Sequence, residues 1–155
     1  VSQNEVGMEV KTKSQGTIDV SEKRLVTMPK GLFGFELYTE FALIESEYQP
    51  FWWLQSLQDR NLAFLLIDSF IVCKDYEIDI DDASLGAIDI KNPSDVFVMA
   101  IVTVPHDGSP ITANFQGPVI FNRKNRRAMQ AVSSDNRWTT KFDIVAALKA
   151  REGSC

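Results

Sequence analysis

Polar and apolar residues alternate near the start of the chain. Met8, Val10 and Thr12 stand against Glu9 and Lys11, and beyond Ser14-Gln15-Gly16, Ile18 and Val20 stand against Thr17 and Asp19. Period-two alternation broken by turn residues predicts a β-hairpin. RLVTMP predicts a short strand ended by Pro29, and the two glycines of KGLFGFE, three apart, favour irregular backbone over helix. EFALIESE returns to strand. LAFLLID and DVFVMAIVTV are continuous apolar runs, the pattern of strands buried on both faces. The second is rich in β-branched and aromatic residues, which favours strand over buried helix. PVIFN and AMQAV predict two more short strands.

Two segments read as helix. Pro50 suits a first helical turn, where its missing N–H is not needed. A short helix from Pro50 would align Phe51 with Leu54 and Trp53 with Leu57, and would leave Trp52 on the side of Gln55 and Ser56. Phe51, Leu54 and Trp53 are then core residues, while Trp52, Gln55 and Ser56 form a partner-facing side. At the C-terminal end, TTKFDIVAALKAREG predicts a helix with Thr140 and Asp143 at capping-box spacing. Phe142, Val145, Leu148 and Lys149 share one side of it. Many short strands with few helices favour a barrel or a sandwich.

Composition adds limits. The 155 residues are 45% hydrophobic and 24% charged, as in an ordinary globular chain. Residues 1–121 carry 8 Lys and Arg against 18 Asp and Glu, and residues 122–155 carry 8 against 3. The formal net charge of −5 argues against a general nucleic-acid binder, whose affinity rests on neutralising phosphates. Cys73 and Cys155 are a lone pair with a terminal member, weak grounds for a disulfide, so a reducing cytoplasm is the natural setting. No apolar run approaches the roughly 20 residues of a membrane helix. The polar N-terminal VSQNEVG carries no signal-peptide pattern. Residues 1–7 and 153–155 read as possible remnants outside the native chain.

Catalytic chemistry finds little to build on. The sole histidine, His106, sits in the turn PHDGSP. One histidine and two distant cysteines make no zinc pattern, and GLFGF lacks the lysine and following helix of a phosphate loop. No cofactor is implied. Cys73 reads as a small buried filler.

Charge patterning is more informative. In DYEIDIDD, a strand would set Asp75, Glu77, Asp79 and Asp81 in one stripe, opposite Tyr76, Ile78 and Ile80. A calcium loop would need glycine where Ile80 stands. The stripe reads as a solvated face or as an electrostatic landing surface for a basic partner. Arg123, Lys124, Arg126 and Arg127 surround Asn125 in a turn. They read as a solvated hairpin tip or, in the alternative function, as the phosphate contacts of an RNA-binding β-barrel. In TANFQGPVIFN, Thr112 could cap a turn, and Asn114 and Gln116 carry amides able to serve the backbone. Asn114, Phe115 and Gln116 are a second candidate surface, with Val119 and Phe121 entering the core.

MPKGLFGFE, EFALIE, PFWWLQSLQD with LAFLLID, DVFVMAIVTVP and ITANFQGPVIFN, in this order and at these spacings, resemble the FliW family of flagellar assembly factors. The likeness spans residues 8–133 and fades after Gln130, leaving residues 134–155 as a helical extension packing on or trailing from the same domain. The resemblance implies a small, barrel-like, antiparallel, mostly β domain with short helices and a C-terminal helix. It also implies no catalysis and two partners, flagellin and the RNA-binding translational regulator CsrA. In that family, FliW sequesters CsrA until accumulated flagellin draws FliW away, so flagellin synthesis follows secretion. The expected setting is cytoplasmic. The expected protein is a monomer alone, without direct nucleic-acid or membrane contact. A small hydrolase or ligand-binding barrel is the remaining class, and it lacks a credible base, nucleophile or metal set.

Overall fold

A computed structural model of the chain describes residues 7–77 and 79–150. The predicted hairpin forms as β1 (Gly7–Lys11) and β2 (Thr17–Ser21), paired antiparallel with Val10 opposite Ile18. Then follow β3 (Leu25–Thr27), β4 (Glu40–Glu45), β5 (Trp52–Ser56), β6 (Ala63–Asp68) and β7 (Val96–Thr103). The last four strands are β8 (Thr112–Ala113), β9 (Val119–Asn122), β10 (Ala128–Gln130) and β11 (Phe142–Asp143). Among the described residues the short α-helices are α1 (Ser69–Val72), α2 (Asp82–Ala87) and the C-terminal α3 (Ile144–Ala150).

The main sheet is antiparallel in the order β10-β9-β7-β6-β5-β4-β3, with β8 on β7 and β11 on β8. It curls until its end strands meet. A parallel bridge links Thr27 to Arg127, and the Thr27 amide donates to the Arg126 carbonyl at 3.0 Å. A second tie is the Phe33 amide, which donates to Gln130 Oε1 at 2.9 Å.

Alternate residues of successive strands fill the interior, the arrangement a closing sheet imposes. Phe41, Leu43, Leu54, Leu66, Met99 and Phe121 meet there. The other face is also covered. The hairpin packs Val10 and Val20 on Ala42 and Ile44, with Trp53 beneath. Around Ile67, Ala100 and Val102 gather Val72, Phe115, Trp138 and Ile144. Burial on both faces explains why β6 and β7 are continuous apolar runs.

The structure corrects several local expectations. No helix starts at Pro50; the Gln49–Pro50 peptide is cis and β5 follows it. Trp53 pairs with Ile44 on one side and Leu65 on the other. The backbone bonds available from two flanking strands outweigh a one-turn helix signal, which is weak in isolation. The C-terminal helix starts at Ile144, because Phe142 and Asp143 pair antiparallel with β8 as β11. Asp143, not Thr140, caps it, its carboxylate accepting from the Ala146 amide at 3.0 Å. Ile144 is the buried residue of α3, while Val145 is exposed. Residue 78 and residues 151–155, named in the stripe and helix expectations, lie outside the described residues. Cys73 is buried as expected, but it is disulfide-bonded, where the sequence suggested a thiol. Thr112, expected to cap a turn, lies in β8.

Candidate partner-binding surfaces

Of residues 75–81, none of those described lies in a strand, so the four carboxylates are not a sheet stripe. They are nonetheless exposed while Tyr76 turns inward. Tyr76 packs edge-on against Trp138, and its hydroxyl donates to the Phe115 carbonyl at 2.8 Å. Burial pushes its pKa well above the usual tyrosine range, which keeps the hydroxyl a donor. The segment is laced to residues 134–138. Trp138 Nε1 donates to the Glu77 carbonyl at 3.0 Å, and Ser134 Oγ donates to Asp79 Oδ2. Glu77 lies 3.6 Å from Arg137, which also holds Asp135. The hydrogen bond from Arg137 holds the Asp135 carboxyl below its ordinary pKa.

Asp81 caps the start of α2, accepting from the Ser84 amide at 2.8 Å, and hydrogen bonding to Ser84 lowers its pKa. Three of the four acids therefore have local structural partners, and all four remain solvent-facing. Asp79 and Asp81 line a groove of about 450 Å³ together with Phe33, Met129 and Val132. Phe33 is 55% exposed and Val132 61% exposed. The sequence missed these apolar residues. The signal for Phe33 was the glycine-flanked loop at residues 31–34, where Gly31 takes φ +64 and a Cβ would stand 2.7 Å from the Phe35 carbonyl oxygen. The loop is thereby held in a shape that leaves Phe33 outside.

Other predicted contacts turn inward. Gln55 and Ser56, expected on a partner-facing side, are each 1% exposed. Gln55 Oε1 accepts from the Lys13 amide at 2.9 Å, and its Nε2 donates to the Ser56 and Arg60 carbonyls at 3.0 and 3.1 Å. Ser56 Oγ accepts from the Gln58 and Asp59 amides. Both side chains complete the backbone bonding of a tight connection instead of presenting a surface. Phe115 is fully buried and stacks on Phe142 at 4.6 Å, so it is no surface contact either. Asn114 Oδ1 accepts from the Gln116 and Gly117 amides at 3.1 and 2.7 Å, closing the turn. Asn114 and Gln116 stay partly exposed.

Trp52 and Trp53 lie on opposite faces of β5, as strand geometry requires. Trp52 lines a pocket at the barrel mouth, and Arg24 stacks over its ring at 4.9 Å. Trp53 lies under the hairpin, and its Nε1 has no hydrogen-bond partner among the described residues. The basic turn is partly committed. Arg126 approaches Glu22 at 3.8 Å, and Lys124 approaches Asp95 at 3.8 Å. His106 is exposed in its turn. Among the described residues, no group of three or more His, Cys, Asp or Glu is placed to hold a metal ion.

Fold and surfaces together define a small, curled antiparallel β domain with charged, apolar-floored recesses. The chain belongs to the FliW family of flagellar assembly factors, whose family model, described as FliW protein, matches residues 9–144. That match runs past residue 133, where the sequence suggested a boundary, and takes in β11. The chain is 49% identical over 143 residues to the flagellar assembly factor FliW of Treponema denticola, covering 92% of this chain and 97% of that one. It is 50% identical over 144 residues to that of Treponema pallidum, covering 93% and 96%. The FliW of Bacillus subtilis is 38% identical over 138 residues, covering 88% and 96%. A crystal structure of the flagellar assembly factor FliW superposes with a TM-score of 0.79 at 34% identity, covering 88% of this chain and 96% of that one.

Proposed function

We propose that this flagellar assembly factor binds flagellin and a CsrA-type translational regulator, and thereby couples flagellin synthesis to secretion without catalysis. The observation that carries the regulator half is the acidic groove. Asp79 and Asp81 face solvent in it beside exposed Phe33 and Val132, and Asp75 and Glu77 are exposed on the same segment. Carboxylates steer a basic protein and set its register, and the apolar floor supplies the area that holds it. The acidic surface also repels RNA brought near by such a partner. Asn114, Gln116 and Trp52 remain candidate contacts for either partner. The setting is the cytoplasm, where a regulator of translation meets messages, and the protein alone is a monomer. Direct RNA binding is disfavoured by the formal net charge of −5, since such binding rests on neutralising phosphates.

Calorimetry with purified CsrA and flagellin tests this reading. The expected result is binding of each, and a reciprocal loss of affinity for one when the chain is preloaded with the other, because coupling between sites is symmetric. Asp75→Lys with Asp79→Lys should weaken CsrA binding and flatten its salt dependence. Binding of neither protein by the wild-type chain would sink the proposal.

A further inference from the structure

We infer that the barrel mouth beside Trp52 is a second docking pocket, shaped for a large apolar side chain presented by an acidic peptide segment. It stands apart from the acidic groove and does not depend on which partner that groove takes.

The pocket encloses about 510 Å³, within the size range of sites that bury a ligand group. Its floor is barrel interior: Val26, Leu43, Met99 and Phe121, with Trp52 and Phe97 as walls. The rim has the opposite character. Lys23, Arg24, Arg123 and Arg126 line it, against the single carboxylate of Asp68. That carboxylate is occupied at the start of α1, accepting from the Phe70 amide at 2.9 Å.

Two of the guanidiniums are held by stacking. Arg24 lies 4.9 Å from the Trp52 ring centre and Arg123 lies 4.8 Å from that of Phe97. A stacked guanidinium spends its face and keeps its in-plane N–H donors, which match a carboxylate in bidentate fashion. The ion pairs are long, at half-exposed positions: Arg24 is 3.9 Å from Glu45 and Arg126 is 3.8 Å from Glu22. One Arg126 nitrogen also donates to the Glu22 carbonyl at 3.0 Å, which leaves its other donors for a ligand. Lys23 has no ion pair among the described residues.

Apolar walls below a cationic rim therefore select an apolar group next to a carboxylate. The apolar contact continues outside the recess on α1, where Ile71, 51% exposed, lines the lip and Phe70 is exposed beside it. This apolar area on α1 adds to that of the recess, which favours a chain segment as occupant. The pocket shares no lining residue with the acidic groove. Arg24 precedes β3 at the pocket and Lys30 follows it at the groove, so the two recesses occupy opposite ends of the β3–β10 seam.

The test is selection of random 12-residue peptides displayed on phage against the full chain, followed by titration of the selected peptide in synthetic, fluorescently labelled form. Selected peptides should place Phe, Trp, Leu or Met beside Asp or Glu. Arg24→Glu with Arg123→Glu should weaken the peptide by about tenfold or more, and Asp79→Lys should leave it within about twofold. Circular dichroism and thermal melting check that the double variant folds. If it does not, the exposed Lys23→Glu should still weaken binding by about threefold. Selection of no peptide, selection of peptides without that pattern, or full affinity in the folded rim variants overturns the inference. Saturable binding of sodium dodecanoate with no peptide selected overturns it in favour of a free amphiphile.

Discussion

The amide of Thr27 donates to the carbonyl of Arg126 at 3.0 Å, and with this contact the two ends of the sheet close on each other. Gln130 supports the same seam. Its Oε1 accepts from the Phe33 amide at 2.9 Å and its Nε2 donates to the Gly117 carbonyl at 3.0 Å. Gln130→Met keeps the volume and strands both backbone groups. It should cost about 2–3 kcal/mol in urea unfolding. Hydrogen exchange at the Phe33 amide should rise with it.

Gln55 ties the hairpin to the sheet through the Lys13 amide. Gln55→Leu takes the partner from that amide and the amide donor from the Ser56 and Arg60 carbonyls, and should destabilise by about 2–4 kcal/mol. Partner affinity of the folded fraction should not change. A variant of full stability that loses partner binding would restore the surface role the sequence suggested.

The paired tryptophans should separate in a mutation series. Trp53→Phe keeps most of the packing under the hairpin and removes an unpartnered buried N–H, so its stability should stay within about 1 kcal/mol of wild type. Trp53→Ala opens a cavity and should cost about 3 kcal/mol. Trp52→Ala should cost less, because one side of that ring faces an open pocket, and should lower binding of the peptide selected at the barrel mouth. Denaturant melts and one titration per variant decide this.

Gly31→Ala places a Cβ 2.7 Å from the Glu36 Cα at φ +64. The expected cost is about 2–3 kcal/mol, combining left-handed strain with a backbone clash. The loop carrying Phe33 should shift, and binding of a basic partner at the acidic groove should weaken with it.

Stability should fall at both pH extremes through neighbouring groups. Hydrogen bonds depress the pKa of Asp135 and Asp81 in the folded chain. A depressed carboxyl stabilises the fold above its unfolded value of about 3.9, and that contribution disappears as pH falls through the lower folded value. Trp138 emission should report loosening of residues 75–81 below about pH 4, and Asp135→Asn should remove part of that response. Tyr76 acts with the reverse sign. Its raised pKa means that stability is lost as pH rises above the unfolded value of about 10. Tyr76→Phe should abolish that alkaline limb.

The sequence by itself determined most of the strands. The alternation of residues 8–20 and the unbroken apolar runs of β6 and β7 report which faces are buried, and burial is a local composition signal. Family order of motifs also stood in the chain. It did not determine the state of PFWWLQSL, because Pro50 offers a helix start locally while β4 and β6 offer two rows of backbone partners only after folding. The buried ends of Gln55 and Ser56 follow from that same pairing. For the surfaces, the acidic residues were legible but their neighbours were not. Phe33, Val132 and Asp79 are far apart in sequence and meet through closure of the seam. The cationic rim over Trp52 likewise joins residues 23–24 to residues 123–126, which no spacing rule links. Tertiary structure decided the recesses because closing a curled sheet is a long-range event, set by how the end strands meet rather than by any one segment.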